Sequence, residues 1–274
     1  MKGLHSLLIG LFGTFAFSWI GLTVIPNFQI GHLDPQSDEE GTDVYPTPKS
    51  GMVERGRRVY VANGCIYCHS QQVRPDYDTA DVERKFGDRR SAPRDYIFDR
   101  PVQLGKERMG PDLSNIGKRT PVEEPPSTVA SAPPAPTAAN VAAQSPPPAP
   151  SVAPASPVAA SANGEPLPYS AAWHHKHLYS PRSISSDLRD SNMPAFKFLY
   201  QKRLIEGERS ADALQLSGAD TPPTGWEVVP TYDATCLVAY LMSLDQSHPL
   251  KEVKSSGAPA ASPAAAAAPP KGAK

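Results

Sequence analysis

Two cysteines three positions apart, with a histidine directly after the second, are the residues best equipped for chemistry: Cys65-Ile66-Tyr67-Cys68-His69. Thiols one helical turn apart can each add to one vinyl group of a single porphyrin. The histidine is then carried under the iron as an axial ligand. C-x-x-C-H therefore reads as the attachment site of one covalently bound haem c. Two other readings fit less well. A dithiol redox pair expects a neighbouring βαβ pattern, and the flanks here are Gly, Pro and charge. A structural zinc needs four ligands, whereas this stretch offers three, and adjacent Cys68 and His69 are hard to aim at one ion. Cys236, the third cysteine of the chain, stands alone.

An iron held by His69 leaves its sixth position to separate electron transfer from ligand chemistry. Met193 is the leading candidate, because Pro194 holds the residue before it extended in a loop-like segment. Met109, in Arg-Met-Gly-Pro, is a competitor, and His174, His175 and His177 offer bis-histidine ligation. Met242 and Met52 read as packing residues. The free ring nitrogen of His69 needs an acceptor to fix its orientation, and the turn Gly110-Pro111-Asp112-Leu113 can offer a backbone carbonyl. Pro111 and Leu113 are the cofactor-contacting candidates of that turn. Arg119 and Arg182 are candidates to pair haem propionates, since a guanidinium grips a carboxylate with two parallel bonds.

These residues need elements to hold them. Ser50 can cap a helix over about Gly51 to Ala62 that leads into the motif, with Gly56 and Tyr60 on one face. Thr231 can cap a late helix with Thr235 to Leu244 at its core, where Leu237, Tyr240, Leu241 and Leu244 follow helical spacing. Cys236 falls there as a small buried apolar residue. Between the two helices Gly and Pro mark loops, and no strand pattern stands out.

The 274-residue chain carries 32 prolines, concentrated in two Ala/Pro-rich stretches. Neither stretch has the bulky apolar residues a core requires, so both are expected to be disordered. A net charge of −1 gives no sign of a nucleic-acid partner. Arginines near the motif (Arg55, Arg57, Arg58, Arg84, Arg89, Arg90, Arg94) alternate with acidic residues and read as a solvated mixed surface. Leu4 to Ile25 is apolar over 22 residues, long enough to span ~30 Å of hydrocarbon. Pro26 is expected to end that helix. Lys2 before it and an acidic run after it place the remainder outside the cytoplasm. A retained anchor is preferred to a cleaved signal peptide, since the run exceeds the usual apolar core of such a peptide. The expected organisation is an anchor over 1–27, an acidic linker over 28–46, and a haem domain built from 47–119 and 169–253. A Pro/Ala-rich insert occupies 120–168 and a tail 254–274.

Gly56-Arg-Arg-Val-Tyr60, Gly64-Cys-Ile-Tyr-Cys-His-Ser-Gln71 and Val73-Arg-Pro75 form one series of motifs. Gly110-Pro-Asp-Leu-Ser-Asn-Ile-Gly117 with Arg119 forms another. Trp173-His174, His177-Leu178, Pro181-Arg182 and Met193-Pro194 complete the set. Together they resemble the mono-haem subunit II of cbb3-type cytochrome c oxidases. The resemblance implies a mainly α chain: one transmembrane helix and a class I cytochrome c-like domain. It implies thioethers at Cys65 and Cys68, His69 as proximal ligand with the Pro111 carbonyl on its imidazole, and Met193 as distal ligand. It also implies a job in electron transfer, not catalysis by this chain alone. Electrons would arrive from a di-haem subunit or a soluble cytochrome c. They would leave for the b haems of a catalytic haem-copper subunit, at a bacterial inner membrane with the haem domain in the periplasm. The insert at 120–168 departs from the family pattern. Another anchored mono-haem cytochrome, of the nitric oxide reductase small-subunit type or free-standing, is the alternative.

Overall fold

Apolar side chains from Leu4 onward form one helical run, α1 (Lys2–Trp19) continuing through a π-helical turn (Ile20–Val24) into α2 (Ile25–Ile30). The computed structural model describes residues 2–37, 41–105, 107–119, 168–185 and 188–253. Pro26 does not end the helix as expected. The π turn widens the spiral so that Ile25 N–H reaches the Ile20 carbonyl, and Pro26 enters the first turn of α2, where its missing N–H costs little. Among the described residues none of this apolar helix is buried, and hydrocarbon is the surroundings that suits such a surface.

The described residues divide into two units, one formed by residues up to 118 and from 235 onward, the other by 119–234. The expected insert, all but its last residue, and the expected tail lie outside the described residues.

In the first unit α3 spans Gly51–Ala62, the stretch its spacing predicts, and Ser50 occupies the cap position without a side-chain hydrogen bond. The late helix α5 is Tyr232–Met242, and its residues from Thr235 onward belong to this unit. Its start is fixed by Thr231 Oγ1, which accepts from Ala234 N at 3.3 Å. The stripe Leu237, Tyr240, Leu241 and Leu244 is buried, and so is Cys236. The helices cross where Gly56 faces Cys236. A Cβ on Gly56 would strike the Cys236 carbonyl and stand 2.7 Å from Tyr240 Cβ. Beside it the Tyr60 and Tyr240 rings pack 5.5 Å apart. Gly56→Ala is therefore expected to destabilise this unit. Alanine gains about 1 kcal/mol of helix propensity, but forcing atoms into a filled core costs about 1–3 kcal/mol, and a backbone carbonyl cannot swing away. Thermal unfolding of the variant should show the lower midpoint; an unchanged midpoint would contradict the crossing.

The expected acidic linker carries two short strands among its described residues. β1 (Gln36–Ser37) and β2 (Val44–Tyr45) pair antiparallel. Tyr45 then stacks on His248 at 4.2 Å and donates to Asp95 at 2.8 Å. Of the arginines expected to form a solvated surface, Arg55, Arg58, Arg84 and Arg90 are exposed, and Arg89 departs from the expectation. Arg89 is 2% exposed and forms two bonds with buried Asp95, at 2.7 and 3.0 Å. Alternating charge in sequence marks an internal ion pair here, because the segment folds back on itself between Val73 and Ala92, joined by Ser91 N to Val73 O at 2.9 Å.

The second unit holds α4 (Ala171–Tyr179) and an antiparallel hairpin of β3 (Tyr200–Leu204) and β4 (Trp226–Pro230), in register from Tyr200↔Pro230 to Leu204↔Trp226. No strand was expected here. β3 is exposed along four of its five residues, so it lacks the buried alternation that marks a strand in sequence. Buried Glu227 of β4 accepts from Ser210 N, Ser210 Oγ and Arg203 Nε, and these bonds, those from Ser210 foremost, hold its carboxyl down to about 2.

Candidate haem attachment site

Helix α3 ends at Asn63, whose amide and side chain both bond to the Val59 carbonyl. The chain then makes a tight 3-10 turn over Cys65–Tyr67. Cys68 N and His69 N both donate to the Cys65 carbonyl, at 3.2 and 3.0 Å. This turn is what places the two thiols and the imidazole together. Both cysteines are free thiols, and burial pushes that of Cys65 up to about 11.

His69 lies against the turn at 110–113. Its Nδ1 stands 2.8 Å from the Pro111 carbonyl, which makes Nδ1 the protonated nitrogen and leaves Nε2 with a lone pair. Burial lowers the proton affinity of the ring, opposed by that carbonyl. The close approach requires glycine at 110: a Cβ there would fall on the imidazole, 2.7 Å from Nδ1. Gly110 N donates to the Cys68 carbonyl at 3.0 Å and Leu113 N to the Ser70 carbonyl at 2.8 Å. Leu113 is buried. The donor set fits a covalent haem: two unbridged thiols, and a neutral imidazole whose metal-binding nitrogen is fixed by the bond the other nitrogen makes.

Cys65, Cys68, His69, Pro111 and Leu113 thus come together in the first unit. Met193, Arg119 and Arg182 belong to the second. Met193 sits in irregular chain, partly buried, with its N–H bonded to Ser191 Oγ at 3.2 Å. Arg119 lies over the Tyr169 ring at 5.3 Å, and Arg182 is exposed in a short 3-10 turn. Met109 is 63% exposed. Met242 and Met52, expected as core, are exposed at 37% and 39%; each occupies the outward side of its helix.

Sequence reasoning did not assign α4, a helix started by Ser170 Oγ accepting from Trp173 N at 3.2 Å. The histidines on it are structured by it. His177 stacks on Trp173 at 4.7 Å, and His174 meets the same ring edge-on at 5.2 Å. His175 Nδ1 lies 3.2 Å from Tyr200 Oη. Burial pulls His174 down to about 3, with His177, His175 and Arg119 adding repulsion, and burial pulls His175 down to about 4. Both are therefore neutral when folded, while the unfolded chain protonates them below about pH 6.5. Stability is expected to fall as pH drops from 6.5 towards 4, by up to about 2 kcal/mol per histidine at pH 5. Denaturant titration of the full chain in detergent at pH 7 and 5 should show this loss, reduced in His174→Gln; equal stability at both values would contradict it.

Also missed was a polar network behind His69. Arg108, Asp81, Asp112 and Ser70 meet there, with Asp81, Asp112 and Ser70 buried. Burial alone would raise the Asp81 carboxyl, but hydrogen bonds from Arg108 and Arg74 outweigh it and hold it low. The Asp at the third position of the Gly110 turn was its one sequence signal, since it caps Ser114 N at 2.9 Å.

The family model for the mono-haem subunit of cytochrome c oxidase, FixO, matches residues 6–124. That segment contains most of the apolar helix, α3, the Cys65–His69 turn and the Pro111 turn, and it stops before the stretch that carries Met193. No curated protein matches the chain.

Proposed function

We propose that this chain, whose residues 6–124 match the model of the FixO family of mono-haem cytochrome c oxidase subunits, relays single electrons from a donor cytochrome c to the b haems of a catalytic haem-copper subunit. That match and the apolar helix support the reading of a membrane-anchored, electron-transferring subunit of a cbb3-type complex. The observation that carries the relay reading is the fixed imidazole: His69 Nδ1 bonded to the Pro111 carbonyl beside two free thiols.

A bound haem c supplies an iron that gains and loses one electron without forming or breaking bonds. Cys65 and Cys68 would hold the haem through thioethers, and His69 would offer Nε2 to its iron. Met193 would offer its thioether as the other protein ligand, which would raise the reduction potential and suit delivery towards oxygen. Pro111 would keep the His69 ring oriented through its carbonyl, with Leu113 beside it. Arg119 and Arg182 would pair the propionates. The part of the chain that follows the apolar helix sits on the periplasmic side, tethered by a single membrane pass, and the chain reduces no oxygen itself. The donor is a di-haem subunit of the same complex or a soluble cytochrome c.

Extraction in mild detergent through this chain, followed by haem spectroscopy, tests the assignment. Recovery of b-type together with c-type haem is expected. Recovery of c-type haem alone, under conditions that preserve oxidase complexes, would favour a free-standing carrier.

A further inference from the structure

We propose that Arg108, Asp112 and Ser70 are positioning residues for the haem, a clamp that sets the hydrogen bond between His69 and Pro111 and thereby the reduction potential. This rests on His69 being the proximal ligand. No hydrogen bond runs from the clamp side chains to the imidazole, whose Nδ1 bonds to the Pro111 carbonyl.

Two strands of irregular chain, 68–74 and 108–114, run past each other, and the His69–Pro111 bond lies between them. Asp112 ties them together. Its Oδ2 accepts from Ser70 Oγ at 2.6 Å and from Gln72 N at 2.8 Å, and its Oδ1 from Ser114 N at 2.9 Å. Both carboxylate oxygens are committed, and the side chain is fully buried. Arg108 ties them as well, its guanidinium standing 3.5 Å from Asp112 Oδ2. Its Nε donates to Ser70 Oγ at 2.6 Å, and its two terminal nitrogens donate to the Gln72 carbonyl and to Asp81. Asp81, also fully buried, accepts from Arg74 N at 2.8 Å. The residues flanking His69 and those flanking Pro111 are thus joined through charge-assisted bonds, which are shorter and stronger than neutral ones.

The consequence is chemical. An imidazole N–H held tightly by a carbonyl makes the ring a better electron donor to its metal, and that favours the ferric state. Loosening the clamp lets the Nδ1–carbonyl bond lengthen, so the potential rises. Hydrogen bonding around the axial ligand is one of the protein's levers on haem potential. Charge alone makes a different forecast. Removing the Asp112 carboxylate would raise the potential, whereas removing the Arg108 cation would lower it.

The test is a redox titration of the full chain carrying haem c, with ferric low-spin electron paramagnetic resonance to read imidazole orientation, for Asp112→Asn, Arg108→Gln and Ser70→Ala. Upward shifts of the same sign in Asp112→Asn and Arg108→Gln, a smaller upward shift in Ser70→Ala and altered g-values are expected. Opposite signs for the two charge variants would overturn the proposal in favour of plain electrostatics. Unchanged potentials and g-values would overturn it outright. If the charge variants fail to mature, neutral Ser70→Ala decides: a raised potential supports the clamp and an unchanged one refutes it. Wild-type protein with no low-spin c-type haem would instead refute the haem reading itself.

Discussion

Met193→Ala is expected to lower the haem reduction potential and to abolish the methionine–iron charge-transfer absorption. Axial ligands move haem potentials across a range of about 0.8 V, so replacing a thioether by water or a histidine should shift the midpoint by something on the order of 0.1 V. The direction follows from the ligand: a thioether stabilises the ferrous state, and its loss favours the ferric one. Met193 is suited to the task by its setting. It lies in irregular chain next to Pro194, and Ser191 Oγ holds its amide. The same titration separates the alternatives. An unchanged spectrum in Met193→Ala would move the distal ligand to Met109 or to a histidine of α4, and Met109→Ala and His177→Ala would then be the variants to read.

The second large effect concerns the thiols. Replacing both Cys65 and Cys68 by alanine should eliminate covalent haem, so that denaturing gels stained for haem peroxidase activity are blank and the intact mass falls by one haem. Each single variant keeps one possible thioether and should retain less haem, with an absorption maximum shifted by the surviving vinyl group. Cys236→Ala is the control. That side chain is fully buried in α5 near the Gly56 crossing, and it should leave haem content unchanged. Covalent haem surviving in the double variant would contradict the assignment of the motif.

The motif and the helices that frame it were legible because each carries a periodic or stereotyped signal. Ser50, Gly56 and Tyr60 mark α3, and the Leu237–Leu244 stripe marks α5, since a buried helical face must repeat every three to four residues. The membrane helix was legible from its uninterrupted apolar run, yet its end was not. Pro26 is accommodated by a π turn before it, and the sequence has no simple mark for that. The hairpin β3–β4 escaped because Gln201, Lys202 and Arg203 are exposed and polar, and its partner strand lies 21 residues beyond. The clamp escaped for a different reason. Asp81 lies 27 residues before Arg108, and charged residues are seldom buried unless paired. Pairing is a property of the fold, so neither Arg89–Asp95 nor Arg108–Asp81 could be told from solvated charge by composition. The His69–Pro111 contact stood between these cases. The need for an acceptor was clear from the chemistry of a ligating imidazole, and the Gly110 turn was the plausible source. Which carbonyl faces the ring depends on Gly110 having no side chain where the imidazole lies.

On the proposed reading, a closed, covalently attached haem would make this chain a relay rather than a catalyst. The most direct measurement is an optical redox titration of the full chain matured with haem, followed by carbon monoxide added to the ferrous form. A single c-type signal with a one-electron wave, and no spectral change with carbon monoxide, is the expected result. Carbon monoxide binding to the ferrous protein, or the lack of any c-type absorption, would contradict it.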